Sequence, residues 1–288
     1  MAEQAIRQAG LSQEALDIQA ATGGCIHHSF NVRSRRQQWF VKVATGDLAA
    51  AQLTAEADGL QALSQASGPR VPAVIAQAVI GGGHALILEY LSFNQQRAGA
   101  ALGMALARLH HNHGAAFGWS LDNYLGATLQ HNQWCDGIVT FMISQRLQPQ
   151  LWLARDDGRP TKLIDSGQQL CASLEHFYRD YQPAPSLLHG DLWSGNQATL
   201  SDGAAVIFDP AVHYGDPEAD LAMSELFGGF GPDFYAAYRD AHGIDDGYSV
   251  RRDLHQLYHV LNHCHLFGGA YVAQAQRLME RLLAEVKG

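Results

Sequence analysis

The stretch Leu187-Leu-His-Gly-Asp-Leu-Trp-Ser-Gly-Asn196, followed by Ala204-Ala-Val-Ile-Phe-Asp-Pro210, decides how this chain folds. An apolar strand delivers His189-Gly190-Asp191 onto a loop, and a second apolar strand delivers Asp209. Any one of these polar residues is common in turns. The ordered set, with both flanking strands, instead predicts a cleft in which two carboxylates and the Asn196 amide meet.

The residue types in this stretch suit phosphoryl transfer from ATP. One carboxylate, Asp191, accepts or orients the proton of the acceptor hydroxyl. Asn196 and Asp209 then hold the Mg²⁺ that neutralises the phosphates. The Asp-x₄-Asn spacing matches the catalytic loop of protein kinases, with Gly190 in the place of an arginine.

Two residues upstream complete a nucleotide site. Trp39-Phe-Val-Lys-Val43 predicts a strand that carries one lysine, Lys42, in an apolar setting, as in the kinase strand whose lysine pairs the phosphates. Glu56 follows fourteen residues later in a predicted helix and is expected to pair with that lysine. The alternative for Glu56 is a solvated carboxylate on a helix face.

Two further segments are assigned to the nucleotide by their position. Gly23 and Gly24 lie in a predicted strand–turn–strand, where backbone N–H groups can cap phosphates. Leu86-Ile-Leu-Glu-Tyr-Leu91 ends a predicted strand and would be the hinge, with Glu89 and Leu91 beside adenine. A common Gly-Gly turn and a simple buried strand are the respective alternatives.

The sequence predicts that the first third of the chain is rich in strands and that the remainder is mainly helical. The predicted strands are Ala15–Ala21, His27–Arg33, Trp39–Val43, Val74–Ile80 and Ala85–Glu89. The predicted helices are Asp47–Ala66 with Asp47 as N-cap, Ala100–His110, Gln133–Ala154, Thr161–Tyr181 and a helical region after Pro217. We therefore predict an α+β protein with an N-terminal nucleotide-binding lobe, 1–91, and a C-terminal catalytic and substrate-binding lobe, 92–288.

The composition of the chain limits the kinds of binding partner and the cellular location that we predict. The 288 residues carry a formal charge of −9, so the sequence predicts no general basic surface for nucleic acid or anionic lipid. No window approaches the roughly eighteen apolar residues of a membrane helix, and the N-terminus lacks a secretory pattern. Four cysteines without a CxxC pair suggest neither disulfides nor zinc, and we expect a cytoplasmic location. The sequence does not indicate an oligomeric state.

The chain resembles the fructosamine/ketosamine 3-kinases, which have the protein-kinase-like fold of the aminoglycoside phosphotransferases. The resemblance extends in order over nearly the whole chain. Its motifs are Ala55-Glu-Ala-Asp-Gly-Leu60, Phe117-Gly-Trp-Ser-Leu-Asp-Asn-Tyr-Leu-Gly126, His189-Gly-Asp-Leu-Trp-Ser-Gly-Asn196, Tyr214-Gly-Asp-Pro-Glu-Ala-Asp-Leu-Ala-Met223 and Leu257-Tyr-His-Val-Leu-Asn-His-Cys-His-Leu-Phe-Gly-Gly-Ala-Tyr271. It implies a small antiparallel-sheet lobe with one helix and a larger, mainly helical lobe.

The resemblance also implies an activity. Asp191 would be the catalytic base, Asn196 and Asp209 the magnesium ligands, and Lys42 the phosphate-binding lysine. The substrate would be a ketosamine, the adduct of an amine and a reducing sugar, free or carried on a protein. Phosphorylation of its 3-hydroxyl yields an unstable phosphate that releases the amine, which is deglycation.

Three residues keep two interpretations each. Trp193 either stacks on the sugar or its carrier or walls the crevice. Asp216 either holds the substrate amine or caps a helix, and Asp220 is expected to brace the catalytic loop. Cys25 is either a redox switch, since an electropositive phosphate loop favours thiolate, or a plain small residue.

Two other functions remain open. One is an aminoglycoside, choline or other amino-alcohol kinase of the same superfamily, against which Trp193-Ser194 and the segment 257–271 argue. The other is a pseudokinase that binds nucleotide without catalysis, which the complete polar set disfavours.

Overall fold

The computed structural model describes residues 1–21, 28–94 and 99–287. Within these ranges the strands are β1 (Asp17–Ala20), β2 (His28–Arg33), β3 (Gln38–Ala44), β4 (Val74–Ile80), β5 (Gly83–Glu89), β6 (Phe93–Asn94), β7 (Asn123–Leu125), β8 (Thr128–Gln130), β9 (Ser186–Leu188), β10 (Gln197–Leu200), β11 (Ala205–Ile207) and β12 (His213–Gly215). The helices are α1 (Ala2–Gln8), α2 (Ala49–Gln65), α3 (Gly99–His110), α4 (Ile138–Phe141), α5 (Gln148–Asp156), α6 (Thr161–Ala172), α7 (Glu218–Leu226), α8 (Pro232–His242), α9 (Tyr248–Phe267) and α10 (Ala270–Lys287). A π-helix, Met142–Leu147, joins α4 to α5, and a 3-10 helix, Leu174–Tyr178, follows α6.

The N-terminal part is a five-stranded sheet in the order β1-β2-β3-β5-β4, and every pair is antiparallel. Successive side chains of β3 and β5 point to opposite faces. Val41 and Ile87 join the core beside α1, whereas Leu86 and Leu88 join the core beside α2. Lys42 pairs in register with Leu86 and so lies on the α2 face.

Helix α1 was not predicted from the sequence. It places Ala5 and Ile6, both fully buried, on the face of the sheet opposite to α2. The helix closes a face that would otherwise expose a row of branched side chains to water.

Helix α2 lies close to its predicted position, but the predicted N-cap was wrong. Leu48 precedes the first helical residue, Ala49, and Asp47 lies one residue earlier in a turn closed by the Ala49 N–H on the Gly46 carbonyl. The helix ends at Gln65 because Ala66 is extended, ahead of Gly68-Pro69.

The predicted helix Gln133–Ala154 begins late. Cys135 exchanges backbone hydrogen bonds with Phe117, so the chain stays extended until Gly137. The predicted helix Thr161–Tyr181 is divided, since Ser173 leaves helical geometry between α6 and the 3-10 turn.

The C-terminal part is mainly helical, and the predicted α+β class with a small sheet lobe and a larger helical lobe is confirmed. One core lies among α6, α9 and α10. Another core continues from the inner face of the sheet to α3, β9 and β11, with Leu86, Leu106 and Ile207 among its members. Shared packing therefore fixes the loops after β9 and β11 against the sheet.

The predicted boundary near residue 91 stays a prediction. The sheet ends at Glu89, and the next strand, β6, pairs with β10 of the C-terminal part. No helix in the described ranges is both long enough and apolar enough to cross a membrane.

Candidate active site

Three of the predicted residues meet at one ammonium. Lys42 Nζ lies 2.5 Å from Glu56 Oε1 and 2.6 Å from Asp209 Oδ1. Strand β3 supplies the lysine, helix α2 supplies Glu56, and the loop after β11 supplies Asp209. The Lys42 and Glu56 side chains are only 7% and 10% exposed, whereas Asp209 is 35% exposed. The carboxylate that opens to solvent is thus the one expected to face a ligand.

Electrostatics keep Lys42 charged. Burial alone would lower the pKa of its ammonium, but the charges and hydrogen bonds of Glu56 and Asp209 outweigh burial and raise it. The Lys42 ammonium therefore stays positively charged at neutral pH, as a phosphate-binding lysine must.

The loop after β9 is held in one conformation by backbone constraints. Gly190 has φ +82°, and a Cβ there would lie 2.1 Å from the Ala211 carbonyl oxygen. The Ala211 N–H also donates to the His189 carbonyl at 2.8 Å. Only glycine fits so close an approach, which accounts for Gly190 in place of a larger residue.

Asp220, on α7, holds this loop in place by accepting two of its backbone N–H groups. Its Oδ2 accepts the His189 N–H at 2.8 Å and its Oδ1 accepts the Gly190 N–H at 2.9 Å. His110 Nε2 lies 3.2 Å from Oδ2, and its Nδ1 lies 2.7 Å from the Tyr238 hydroxyl. Burial alone would raise the pKa of Asp220, but these donors outweigh burial and lower it, so the brace is anionic.

Asp191 and Asn196 are in contact. The Asn196 amide Nδ2 donates to the Asp191 carbonyl at 2.9 Å and to Asp191 Oδ2 at 3.2 Å. Burial raises the pKa of Asp191 to about 7, the charge of Asp209 adds to the rise, and the Asn196 amide opposes it. A carboxyl poised near neutrality suits a proton acceptor.

Asp209 has unusual backbone geometry. Its φ of 57° is the only positive value of a non-glycine residue in the described ranges. The residue before a proline is normally extended, and Pro210 follows directly. Such strain is held by surrounding structure and is concentrated at functional sites.

The oxygen atoms that Asn196 and Asp209 leave unused are suitable ligands for a magnesium ion. Because the Asn196 Nδ2 is committed to Asp191, its Oδ1 is left to act as an acceptor. Asp209 binds Lys42 through Oδ1, which leaves Oδ2. An amide oxygen and a carboxylate oxygen are the ligand types that Mg²⁺ takes in phosphate sites.

The predicted hinge residues are placed differently from one another. Glu89 turns its side chain to Arg70, with which it forms an ion pair, and its Oε2 accepts the Ala73 N–H at 3.3 Å. Leu91 is half-buried and lies outside the strands, between β5 and β6. The sequence reading did not anticipate that Phe93 stacks on Phe208 at 5.5 Å, directly before Asp209. The sequence signal that could have indicated this contact is an aromatic residue shortly after Leu91 and another immediately before Asp209.

Gly23, Gly24 and Cys25 lie outside the described residues. Trp193 is half-buried and meets Phe227 edge to face at 6.2 Å.

The contacts of Asp216 bear on whether its carboxylate binds the substrate amine or caps a helix. Asp216 is buried, accepts the Glu218 N–H and the Tyr181 hydroxyl at 3.0 and 2.9 Å, and lies 3.2 Å from His255 Nε2. Of these contacts only the Glu218 N–H belongs to the start of α7, whereas Tyr181 lies after the 3-10 helix and His255 lies on α9. The Glu218 contact fits the capping interpretation, and the three contacts together commit the carboxylate to protein partners.

Asp216, Glu218 and His255 also form the one group of three acidic or histidine ligands that converges within the described ranges. Arg251 binds both carboxylate oxygens of Glu218, at 2.7 and 2.9 Å. With the contacts of Asp216 already made, the donors of this group are satisfied by the protein itself, and it does not fit a metal site.

A family model described as fructosamine kinase matches residues 1–285. A probable ketoamine kinase from Synechocystis is 39% identical over 286 residues, which are 98% of this chain and 96% of the relative. The chloroplastic protein-ribulosamine 3-kinase of Arabidopsis thaliana is 36% identical over 295 residues, covering 100% of this chain and 90% of the relative.

Two solved structures are similar to this chain over nearly its whole length. A provisionally named fructosamine-3-kinase from Haemophilus somnus 129PT has a TM-score of 0.84 at 27% identity, covering 96% of this chain and 95% of that chain. A thermostable aminoglycoside phosphotransferase has a TM-score of 0.65 at 15% identity, with 98% of each chain covered. The second match concerns the fold alone, and it agrees with the protein-kinase-like fold that the sequence predicted.

Proposed function

The chain belongs to the fructosamine kinase family, and on that premise we propose that it transfers a phosphoryl group from ATP to the 3-hydroxyl of a ketosamine. Relatives named ketoamine kinase and protein-ribulosamine 3-kinase align over nearly the whole of both chains, which supports this substrate and this hydroxyl. The product of such a transfer is unstable and releases the amine, so the consequence for the substrate is deglycation.

A single observation carries the assignment: residues from distant parts of the chain converge on one ammonium and one loop. Lys42 contacts Glu56 and Asp209, while Asp191 contacts Asn196. Phosphoryl transfer depends on positioning and electrostatic stabilisation, and this group supplies a cation for the phosphates and carboxylates for metal and acceptor.

Asp191 is the residue to which we assign the acceptor proton. Its raised pKa, about 7, follows from burial and from the neighbouring Asp209 charge. A carboxylate of this kind holds the hydroxyl in line for attack and takes its proton as the new bond forms. Asp220 acts through the loop, since it binds the N–H groups of His189 and Gly190 rather than any reacting atom.

Asn196 and Asp209 are proposed to bind Mg²⁺ with their free oxygen atoms. Bound there, the ion would offset the phosphate charge beside Asp191. Lys42 then holds the phosphates, and Glu56 keeps the ammonium directed towards the cleft. For the adenine we propose the hinge at Glu89 and Leu91, and for the phosphate loop Gly23 and Gly24. The cytoplasmic location stays a prediction from the sequence.

The test is an acceptor panel with ATP and Mg²⁺: a fructosamine, a ribulosamine, an aminoglycoside and choline. We expect turnover of the ketosamines alone, with ³¹P and ¹³C NMR placing the phosphate on carbon 3. Asp191→Asn is the matched control because it keeps the side-chain shape, and losing the base should reduce kcat by about 10² to 10⁴.

Two results would redirect the assignment. Turnover of choline or the aminoglycoside, with the ketosamines inert, would place the protein with the amino-alcohol kinases. Equal background turnover by wild type and Asp191→Asn with every acceptor would favour a nucleotide-binding pseudokinase.

A further inference from the structure

Five ring side chains form a continuous row that begins at the catalytic loop and ends at the surface. Trp193, two residues after Asp191, meets Phe227 at 6.2 Å, and Phe227 meets His263 at 5.1 Å. His263 in turn contacts Phe267 at 5.4 Å and Tyr271 at 4.9 Å. We name these five side chains the aromatic row.

The outer end of the aromatic row is open to solvent. Phe267, at the end of α9, is 64% exposed, and Tyr271 at the start of α10 is half-buried. His263 donates its Nδ1–H to the His259 carbonyl at 2.7 Å, which fixes the ring between its neighbours. A single exposed apolar residue needs no explanation, but this one continues an array that starts beside Asp191.

The covalent structure of a ketosamine indicates where the group attached to its nitrogen lies when the sugar is bound. The nitrogen is attached to carbon 1, only two carbons from the carbon 3 hydroxyl that Asp191 would engage. The group carried on the nitrogen must therefore emerge close to Asp191, and Trp193, the inner end of the row, follows Asp191 by two residues. Since each ring-to-ring step is about the width of one ring, the outer members lie beyond the reach of the sugar.

We propose that Phe227, Phe267 and Tyr271 form a carrier subsite that binds an apolar group attached to the ketosamine nitrogen. The inference rests on the proposed function and names the part of the substrate that the outer residues recognise. Phe227, Phe267 and Tyr271 carry no ionised group, so the subsite selects aromatic or long aliphatic carriers over small ones. The alkyl stem of a lysine in a peptide and a free arylalkylamine share this chemistry.

The competing explanation is that the row only packs α9 against α10. Packing alone would make the row matter for stability and would make it indifferent to the carrier. An exposed side chain at Phe267 contributes little to a core, so its removal separates the two explanations.

The experiment uses two ribulosamines that differ only in the amine, methylamine and benzylamine. We expect wild type to favour the benzylamine adduct in kcat/KM. Phe267→Ala should lower kcat/KM for that adduct by about threefold to tenfold, the size of a lost aromatic contact, and change the methylamine adduct by less than about twofold. Tyr271→Ala should act in the same direction.

Trp152→Ala is the matched control. Trp152 on α5 is 51% exposed, and within the described ranges no ring contact joins it to the aromatic row. It should alter neither adduct. A third adduct, on a lysine within a short apolar peptide, tells the two carrier sources apart: a greater Phe267→Ala effect on the peptide identifies glycated protein as the source, and a greater effect on benzylamine identifies a free amine.

Each outcome decides the matter. Equal use of the methylamine and benzylamine adducts by wild type, or equal losses on both in Phe267→Ala, would overturn the carrier subsite while leaving the kinase assignment intact. Turnover of neither adduct by wild type would overturn the proposed function and the subsite with it.

Discussion

Lys42 Nζ lies 2.6 Å from Asp209 Oδ1, although 167 residues separate the two along the chain. The contact ties the inner face of the N-terminal sheet to the loop that follows β11. The same ammonium binds Glu56, so one buried cation contacts two carboxylates. Because Glu56 is nearly buried, removal of the lysine leaves this carboxyl group without its cationic partner, and the group must either stay charged out of water or take up a proton.

We expect Lys42→Met to lower the free energy of unfolding by about 3 kcal/mol, the usual cost of breaking a buried pair from one side. Adding Glu56→Gln removes the stranded charge, so the double variant should regain much of that stability while remaining inactive. Urea unfolding of the two variants, alongside an ATP turnover assay, measures both quantities.

Lys162→Met is the control for this prediction. Lys162 pairs with Glu280 at 2.7 Å, but both side chains are exposed, so water screens the pair and its loss should lower stability far less than the loss of Lys42. A loss in Lys42→Met no larger than the loss in Lys162→Met would mean that the buried pair does not carry the charge balance inferred from its geometry.

The pKa of Asp191 predicts how stability changes with pH. Burial raises the pKa of this carboxyl to about 7 in the folded protein, with the Asp209 charge adding to the rise. An unfolded aspartate titrates near 4. Between these values the folded state holds a proton that the unfolded state releases, so this residue contributes stability at low pH that is lost as the pH rises towards 7.

Asp191→Asn cannot ionise, so its melting temperature should exceed that of wild type by a margin that grows between pH 5 and pH 8. Calorimetry in EDTA measures the margin. Mg²⁺ with ADP should reduce it, because a cation beside Asp191 favours the carboxylate. A margin that stays constant over this range, or that grows on acidification, would contradict the raised pKa.

Much of the site follows from the sequence because its motifs are local. The spacing of Asp191 and Asn196 fixes a short loop in which the two side chains must meet. Period-two alternation along β3 places Lys42 on the face of the sheet that α2 covers, and Glu56 lies on that helix. The kinase pattern of a lysine in an apolar strand and a glutamate in the following helix was sufficient to predict this pair.

Other features depend on tertiary contacts that the pattern does not encode. Helix α1 is only seven residues long, and it owes its stability to the sheet surface that it covers rather than to propensity. The extended segment before α4 depends on the pairing of Cys135 with Phe117, which lies in a distant loop. The choice between two roles for Asp216 likewise required His255 and Tyr181 to be placed.

Gly190 offers a steric test of the loop that follows β9 and carries Asp191. Gly190→Ala combines a positive φ with a Cβ 2.1 Å from the Ala211 carbonyl oxygen, so the loop has to move. We expect a stability loss of about 2 to 3 kcal/mol and a fall in kcat of at least about 10²-fold, since small misplacements of reacting groups are costly. Thermal unfolding and steady-state kinetics measure these.

Gly203→Ala is the counterpart of Gly190→Ala. Gly203 also has a positive φ, +86°, but no atom lies within 4 Å of its added Cβ. It should lose only about 1 kcal/mol from backbone strain and keep its kcat. If both variants lost kcat alike, the close approach of Gly190 to Ala211 would have no special role.

Gly195 controls where the Trp193 indole lies. A Cβ at Gly195 would come within 2.3 to 2.7 Å of three ring atoms of Trp193, whereas its backbone conformation is one that alanine adopts without strain. Gly195→Ala should therefore displace the ring and leave the fold intact. If the indole contacts the sugar or its carrier, KM for the ketosamine should rise by about threefold to tenfold while KM for ATP stays constant.

Gly99→Ala, at the start of α3, is the control for Gly195→Ala. Its added Cβ lies 3.7 Å from a side-chain atom of Asp233, an ordinary van der Waals distance. That variant should match wild type in both KM values and be slightly more stable, because alanine favours a helix over glycine. An unchanged ketosamine KM in Gly195→Ala would assign Trp193 to the wall of the crevice. A parallel rise in the ATP KM would instead indicate that the whole loop, with Asp191 and Asn196, had shifted.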